Sequence, residues 1–325
     1  MKEHRELTIA KSVNTNRLRR GLRTGFALLL TAFIFLCIFA MAQVDNTNYV
    51  DKKTDYWYQR GLQSAGERSY EEALQAYDKA IQIDPENVGA WDGKALALRS
   101  LSFAENDTDR YNESLEAYDK AIELYDGKIK ANPQDTNALY YKGLALTGRA
   151  LTMKAGEKLN ISSDKEARVR YFEEAIDAYD MAIEIDPKYV TAWKNKGNVL
   201  YSLGRYNESL EALNKALEIV PEYGLAWYSK GLTLYELGRY EEAAQAYDKA
   251  LETFPDNAGI WYNKGNALFG QGQYDAAIEG YDYAIKLDPS LAEAWHGKGL
   301  AFEKLGLDTS ANAAFDRARQ LGYEG

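Results

Sequence analysis

The 325-residue sequence is poor in the residues that build metal sites and nucleophilic centres. It contains one cysteine, Cys37, and two histidines, His4 and His296. One cysteine cannot form an intramolecular disulfide, and this set cannot supply a Cys/His metal site. Glycine-rich phosphate loops, Gly-x-Ser-x-Gly elbows and His-Glu-x-x-His motifs are also missing from the sequence. We therefore predict that the protein is not an enzyme and has no cofactor or bound metal.

Basic residues are in the minority, and they are unevenly placed. The first 25 residues carry seven lysines and arginines against two glutamates. The remaining residues hold 32 basic and 47 acidic side chains, a net charge of −15. An acidic body argues against a nucleic-acid partner, because phosphate binding requires the opposite charge. Acidic surfaces also keep proteins dispersed, which is the simpler explanation of this charge.

One long run of the sequence has no charged residue. Residues 26–42 read FALLLTAFIFLCIFAMA, and at about 1.5 Å per residue they span about 26 Å of a bilayer core of about 30 Å. The basic residues before this run predict an N-terminus on the cytoplasmic side of the membrane and a body on the extracytoplasmic side. We assign 1–25 to a basic tail, 26–43 to a transmembrane signal anchor and 44–53 to a linker.

Two other interpretations of the apolar run stay open. Ala40-Met41-Ala42 has the small-x-small form of a signal-peptidase site, so cleavage near Ala42 would release a secreted protein. A buried core helix is the third interpretation. The expected location is therefore a single-pass membrane protein with a cytoplasmic N-terminus and an extracytoplasmic body, or alternatively a secreted protein.

Tryptophan recurs at multiples of 34 residues from Trp57 onward. The later members are Trp91, Trp193, Trp227, Trp261 and Trp295. Residues 224–257 read GLAWYSKGLTLYELGRYEEAAQAYDKALETFPDN, and 258–291 repeat the pattern. Within each block, two helical runs of apolar residues flank a turn such as Leu203-Gly204-Arg205, and a proline follows the second run. One helical pair cannot bury its apolar face alone, so the blocks must stack.

This register resembles the tetratricopeptide repeat, whose signature runs W-x2-L-G-x2-Y and then A, F/Y, A and P within 34 residues. The resemblance covers 54–325 and implies an all-α, right-handed superhelical solenoid of seven helix-turn-helix repeats after the one transmembrane helix. The repeats are 54–87, 88–135, 136–189, 190–223, 224–257, 258–291 and 292–325. The second and third are longer, and the insertion near 152–171 is either length drift that extends both helices or a protrusion that contacts a partner.

Two positions on the second helix of each block are expected to face the next block. In the first six blocks they are apolar: Leu74 and Ile81, Leu115 and Ile122, Ile176 and Ile183, Leu210 and Leu217, Ala244 and Leu251, Ile278 and Ile285. In the last block they are Asn312 and Arg319. We expect the last helix to act as a polar cap, as finite repeat arrays require.

A basic residue stands at the seventh position of every block, where the family usually has leucine. The set is Arg60, Lys94, Lys142, Lys196, Lys230, Lys264 and Lys298. The second helices carry an acid at position 25 in six blocks: Asp78, Asp119, Asp180, Asp248, Asp282 and Asp316, with Asn214 in the remaining block. We predict a ladder of ion pairs in which each lysine stem packs on apolar surface.

The resemblance also implies where a partner binds, because first helices of the family line a concave groove. The matching positions in this sequence are Lys194, Asn198, Tyr201, Tyr228, Tyr235, Tyr262, Asn266, Phe269 and His296. Tyrosines there suit recognition of an extended or helical peptide. Lys194 and Asn198 match the start of the family's carboxylate clamp, but Leu232, Tyr262 and Asn266 depart from the rest, so a chaperone receptor is not expected.

The predicted function is a non-catalytic protein-interaction scaffold at the membrane. Its partner is a protein or peptide of unknown identity, and we expect no nucleic acid and no small-molecule substrate. The alternative is an accessory subunit that recruits an enzyme or a cell-envelope assembly machine. Both functions rest on the repeats, and the fold alone cannot name the partner.

Overall fold

The computed structural model describes residues 51–161 and 164–323. Within these ranges the chain forms α-helices and one short 3-10 helix, with no strand. The helices are α1 (51–66), α2 (Tyr70–Ile83), α3 (Val88–Glu105), α4 (Thr108–Ala131), α5 (Thr136–Gly156), α6 (Lys165–Ile185), α7 (Val190–Ser202), α8 (Tyr206–Ile219), α9 (Gly224–Glu236), α10 (Tyr240–Thr253), α11 (Ala258–Gly270), α12 (Tyr274–Leu287), α13 (Ala292–Lys304) and α14 (Asp308–Gln320). The predicted all-α class is confirmed.

The predicted membrane anchor, 26–43, and the basic tail before it lie outside the described residues. No helix within the described ranges is both long and apolar enough to cross a membrane. Residues 51–53, which the sequence analysis placed in the linker 44–53, are helical and belong to α1. The described residues fall into two compact units, the first ending at Gly93 and the second beginning at Lys94.

In the first unit, one tyrosine packs between two glycines. The ring of Tyr77 on α2 is 1% exposed, and a Cβ added to Gly61 or to Gly93 would lie 2.4 Å from it. Nothing larger than glycine fits at either position without displacing the ring. On the same helix, Lys79 places its ammonium 4.0 Å from the ring centroid of Trp57.

The second unit is a stack of helical pairs. From α4 to α14 each helix packs against the next along the chain, and the first helices also touch one another in the order α5, α7, α9, α11 and α13. In several pairs, a glycine of the first helix packs directly against an aromatic ring of the second helix. A Cβ at Gly231 would lie 2.5 Å from the Tyr247 ring, and one at Gly265 would lie 2.7 Å from Tyr281.

Glycine ends the first helix of each later pair. Gly204, Gly238, Gly272 and Gly306 have φ between 72° and 77°, the left-handed region that only glycine enters without strain. The turn is closed by backbone bonds such as Arg205 N to the Leu200 carbonyl, 2.9 Å, and Gly204 N to the Tyr201 carbonyl, 2.9 Å. This pattern satisfies carbonyls that the helix end would leave unpaired.

The repeated tryptophans fix the turn between consecutive pairs. The indole N–H of Trp261 donates to the carbonyl of Pro255 at 2.9 Å, and Trp193, Trp227 and Trp295 bond Pro187, Pro221 and Pro289 in the same way. The proline ends the second helix, and the indole N–H donates a hydrogen bond to the free carbonyl of that proline. The regular spacing of tryptophan and proline in the sequence therefore reports one local structure.

The insertion near 152–171 lengthens both flanking helices, as one interpretation of the sequence predicted. Helices α5 and α6 have 21 residues each, against 13 in α7. The 3-10 helix Glu157–Leu159 follows α5. Arg149 joins the second unit's longer helices, because its guanidinium bonds both carboxylate oxygens of Asp119, at 2.5 and 2.9 Å, and stacks 4.0 Å from the Tyr171 ring.

Candidate functional site

The first helices α7 and α9 line an open pocket of about 310 Å³. Helix α7 contributes Lys194, Asn198, Tyr201 and Ser202, and α9 contributes Leu225, Tyr228, Ser229 and Leu232. These residues recur at three- and four-residue spacing, so each helix turns one face toward the pocket. The structure thus brings together four of the predicted site residues: Lys194, Asn198, Tyr201 and Tyr228.

Lys194 is a partly dehydrated cation at the α7 side of the pocket. Its ammonium donates to the side-chain carbonyl of Asn195 at 2.6 Å, and the amide of Asn195 donates to the Tyr140 hydroxyl at 3.1 Å. Burial lowers the pKa of Lys194, because the charged form loses hydration. A partner oxygen next to this ammonium would replace the hydration that burial has removed.

The pocket tyrosines present aromatic surface with hydroxyls already oriented. The Tyr201 hydroxyl donates to Glu236 at 3.4 Å, and the Tyr228 hydroxyl accepts from the Asn263 amide at 3.2 Å. Burial raises the pKa of Tyr201 to about 12 and raises the pKa of Tyr228. Both hydroxyls therefore stay protonated at neutral pH, and the rings are held by neighbours on other helices.

The predicted residues Tyr235, Tyr262, Asn266 and Phe269 lie outside this pocket, at the end of α9 and on α11. Their side chains are partly buried. Tyr262 packs 6.0 Å from Tyr281, and Asn266 accepts a hydrogen bond from the Tyr281 hydroxyl at 2.8 Å. Phe269 meets Tyr274 edge-on at 5.3 Å. These residues continue the row of first helices, since α11 packs against α9.

His296 is packed more closely than an open groove position would be. Its ring meets Phe315 edge-on at 5.3 Å and Tyr323 edge-on at 4.2 Å. Both imidazole nitrogens are buried and have no hydrogen-bond partner within the part of the chain that the structure describes. Burial lowers the pKa of His296, so the neutral ring is the favoured form. Its contacts are those of a packing residue at the end of the stack.

Sequence reasoning missed Ser229 in the pocket. Leu225, Ser229 and Leu232 stand at i, i+4 and i+7 on α9, which is the spacing of one helix face. The periodicity alone could have identified Ser229, whereas the family pattern of groove positions does not include it. Within the part of the chain that the structure describes, no three or more possible metal ligands come together.

Comparison with known proteins gives repeat matches along the chain. Models of the tetratricopeptide repeat match residues 54–87, 194–258 and 246–279, and a TPR repeat model matches 172–204 and 265–306. The uncharacterized protein MJ0572 of Methanocaldococcus jannaschii is 38% identical over 65 residues, which are 20% of this chain and 67% of that protein.

Two solved structures are also similar. MamA is 27% identical, with 50% of this chain and 96% of that chain covered and a TM-score of 0.46. YrrB, described as a TPR protein with an unusual peptide-binding site, is 22% identical, with 62% and 93% covered and a TM-score of 0.48. The family-model matches together cover residues 54–87 and 172–306.

Proposed function

Since the chain belongs to the tetratricopeptide-repeat family of protein-interaction scaffolds, we propose that it binds an extended segment of a protein partner along α7, α9 and α11. The observation that carries this proposal is the pocket between α7 and α9. Tyrosine rings, one partly dehydrated ammonium and an amide converge there on an open surface. No part of this role requires catalysis, and we infer a non-catalytic function.

The pocket suggests how such a segment is held. Leu225 is 45% exposed and, with Leu232, offers apolar surface to a partner side chain. Tyr201 and Tyr228 add rigid aromatic surface with little loss of side-chain entropy. Asn198 can both donate hydrogen bonds to a peptide backbone and accept them from it. Lys194 can donate a hydrogen bond to a carbonyl or carboxylate oxygen. The segment is therefore expected to be apolar with an oxygen-rich group near α7.

Membrane tethering is the second element of the proposal. It rests on the uncharged run 26–42 and on the basic residues before it. The repeats would then lie on the extracytoplasmic side of the membrane, or they would be secreted after cleavage near Ala42. Sequencing the N-terminus of the mature protein separates anchor from cleaved signal, and protease treatment of intact cells should digest the repeats. Full protection of the repeats would contradict this orientation.

A pull-down with paired variants tests the groove. Tyr201→Ala/Tyr228→Ala should remove the partner that the wild-type chain captures, because both rings line the pocket. Met181→Ala is the control, since Met181 is 45% exposed on the second helix α6 and does not line the groove pocket. Capture by the groove variant at the wild-type level would contradict the proposal, provided that both variants keep the wild-type unfolding temperature.

A further inference from the structure

A second pocket, of about 600 Å³, lies on the side of the molecule formed by α10, α11 and α12. Ala244 and Asp248 on α10, Trp261 and Lys264 on α11 and Tyr283 on α12 line it. The groove pocket shares none of these residues. The two pockets therefore use different helices and different side chains.

The sequence departs from its own repeat at three positions that line this pocket. Ala244 stands where the preceding blocks have Leu74, Leu115, Ile176 and Leu210. Gln271 stands where other blocks have Leu203, Leu237 and Leu305, and Tyr283 where others have Lys79, Met181, Lys215 and Lys249. The shorter side chain of alanine leaves space, glutamine makes the wall polar, and tyrosine adds a ring. Three independent departures converge on one cavity.

Two aromatic rings form one wall of the pocket. Trp261 and Tyr283 stack with their centroids 4.6 Å apart and their planes inclined by 19°. Lys264 holds its ammonium 5.1 Å from the Trp261 centroid, so Trp261 contacts both a cation and a second ring. Tyr283 is 50% exposed, and the exposed part of its ring is available for stacking by a ligand.

The remaining walls carry negative charge. Asp248 is paired with Lys264 at 2.6 Å, and the neighbouring Glu242 is paired with Arg239. Glu241 and Glu279 also line the pocket, and neither forms an ion pair with another described residue. Two carboxylates beside an aromatic face favour a planar cation, which can stack on the ring and donate to the carboxylates at once.

The chain already contains this type of contact between its own helices. The guanidinium of Arg149 bonds both oxygens of Asp119, at 2.5 and 2.9 Å, and stacks 4.0 Å from the Tyr171 ring. Ring and carboxylate are here contributed by different helices, as Tyr283 and Glu241 are around the second pocket. The geometry shows how an arginine side chain would be held between Tyr283 and the carboxylates.

We propose that the pocket of Ala244, Trp261 and Tyr283 binds an arginine side chain of a protein partner. The guanidinium stacks on the outer face of Tyr283 and donates to Glu241 or Glu279. The apolar stem of the arginine covers Ala244. The scaffold thus has a second recognition site, formed by α10, α11 and α12, which binds a cationic residue independently of the pocket between α7 and α9.

The test uses the full chain and fluorescein-labelled peptides of repeated Gly-Gly-Arg units, with Gly-Gly-Lys and Gly-Gly-Gln counterparts. Fluorescence anisotropy should show that the arginine peptide binds about tenfold more tightly than the glutamine peptide and more tightly than the lysine peptide. Ala244→Leu restores the residue of the other repeats, so it should fill the pocket, weaken the arginine peptide about tenfold and leave the unfolding temperature equal or higher.

Two further variants keep the proposal falsifiable. Glu241→Gln/Glu279→Gln should weaken binding and reduce its salt dependence, whereas Glu211→Gln/Glu222→Gln removes the same charge elsewhere and should change little. Tyr228→Ala, in the groove, should leave the affinity unchanged. Equal binding of the arginine and glutamine peptides, full affinity in Ala244→Leu, or loss of binding only in Tyr228→Ala would each overturn the second site. None of these results bears on partner capture by the groove.

Discussion

The ammonium of Lys264 on α11 lies 2.6 Å from the carboxylate of Asp248 on the preceding helix α10. Lys196 pairs in the same way with Asp180, and Lys298 with Asp282, both at 2.5 Å and 16 residues apart. The predicted ladder is therefore confirmed for these lysines, and each pair links consecutive helical pairs. At Lys230 the corresponding residue is Asn214, and Lys230 forms no ion pair with a described residue.

Asn214→Asp should complete the ladder at Lys230. The new pair is partly exposed, so we expect a gain of about 0.5 kcal/mol in the free energy of unfolding. The gain should shrink at high salt, because screening weakens exposed charges. Urea unfolding at low and high salt measures both effects. The same substitution in a Lys230→Gln background is the control, and an equal gain there would contradict the pairing.

Gly231→Ala should destabilise the stack. The added Cβ would lie 2.5 Å from the Tyr247 ring, and overpacking of this kind costs about 1–3 kcal/mol. The same change at Gly127, in the exposed part of α4 with nothing within 4 Å of the new Cβ, should instead stabilise the helix by about 0.5–1 kcal/mol. Urea unfolding of both variants checks the opposite signs, and the same sign for both would contradict the packing explanation.

Acidification should lower the stability of the folded chain through protonation of His296. Burial lowers the pKa of its imidazole in the folded chain, so the unfolded chain, with a pKa of about 6.5, binds the proton first. Stability from this group is complete above that pH and is lost as the pH falls toward the folded pKa. His296→Phe should show a smaller drop in unfolding temperature between neutral and acidic buffer. An identical drop would rule out His296 as the source.

Local signals carried most of the fold prediction. Tryptophan, glycine and proline each fix a nearby turn, as Trp261 does through the Pro255 carbonyl, so their spacing locates the helices without tertiary information. The pairing of charges was less predictable. Lys142 bonds Asp126 at 2.6 Å rather than Asp119, which is taken by Arg149. The extra turns of α4 shift the register, and only the packed structure shows which acid reaches which base.

The candidate sites show the same limit. Helical spacing and the family pattern located Lys194, Asn198, Tyr201 and Tyr228, which do line one pocket. Sequence alone marked Ala244 as an outward position, yet the cavity there depends on neighbours contributed by α11 and α12. His296 fitted the groove pattern, but Phe315 and Tyr323 surround it. Contacts between distant residues decide these cases, and periodicity does not report them.

Site-specific photo-cross-linking in cells tests the central claim most directly. A photoreactive residue in place of Leu225, exposed beside the groove pocket, should form a covalent adduct with the partner. The same residue in place of Lys215, exposed on the second helix α8, should form none. An adduct from Leu225 that disappears with Tyr201→Ala/Tyr228→Ala is the predicted result. An adduct from Lys215 alone, or an undiminished adduct in the tyrosine variant, would contradict binding along the first helices.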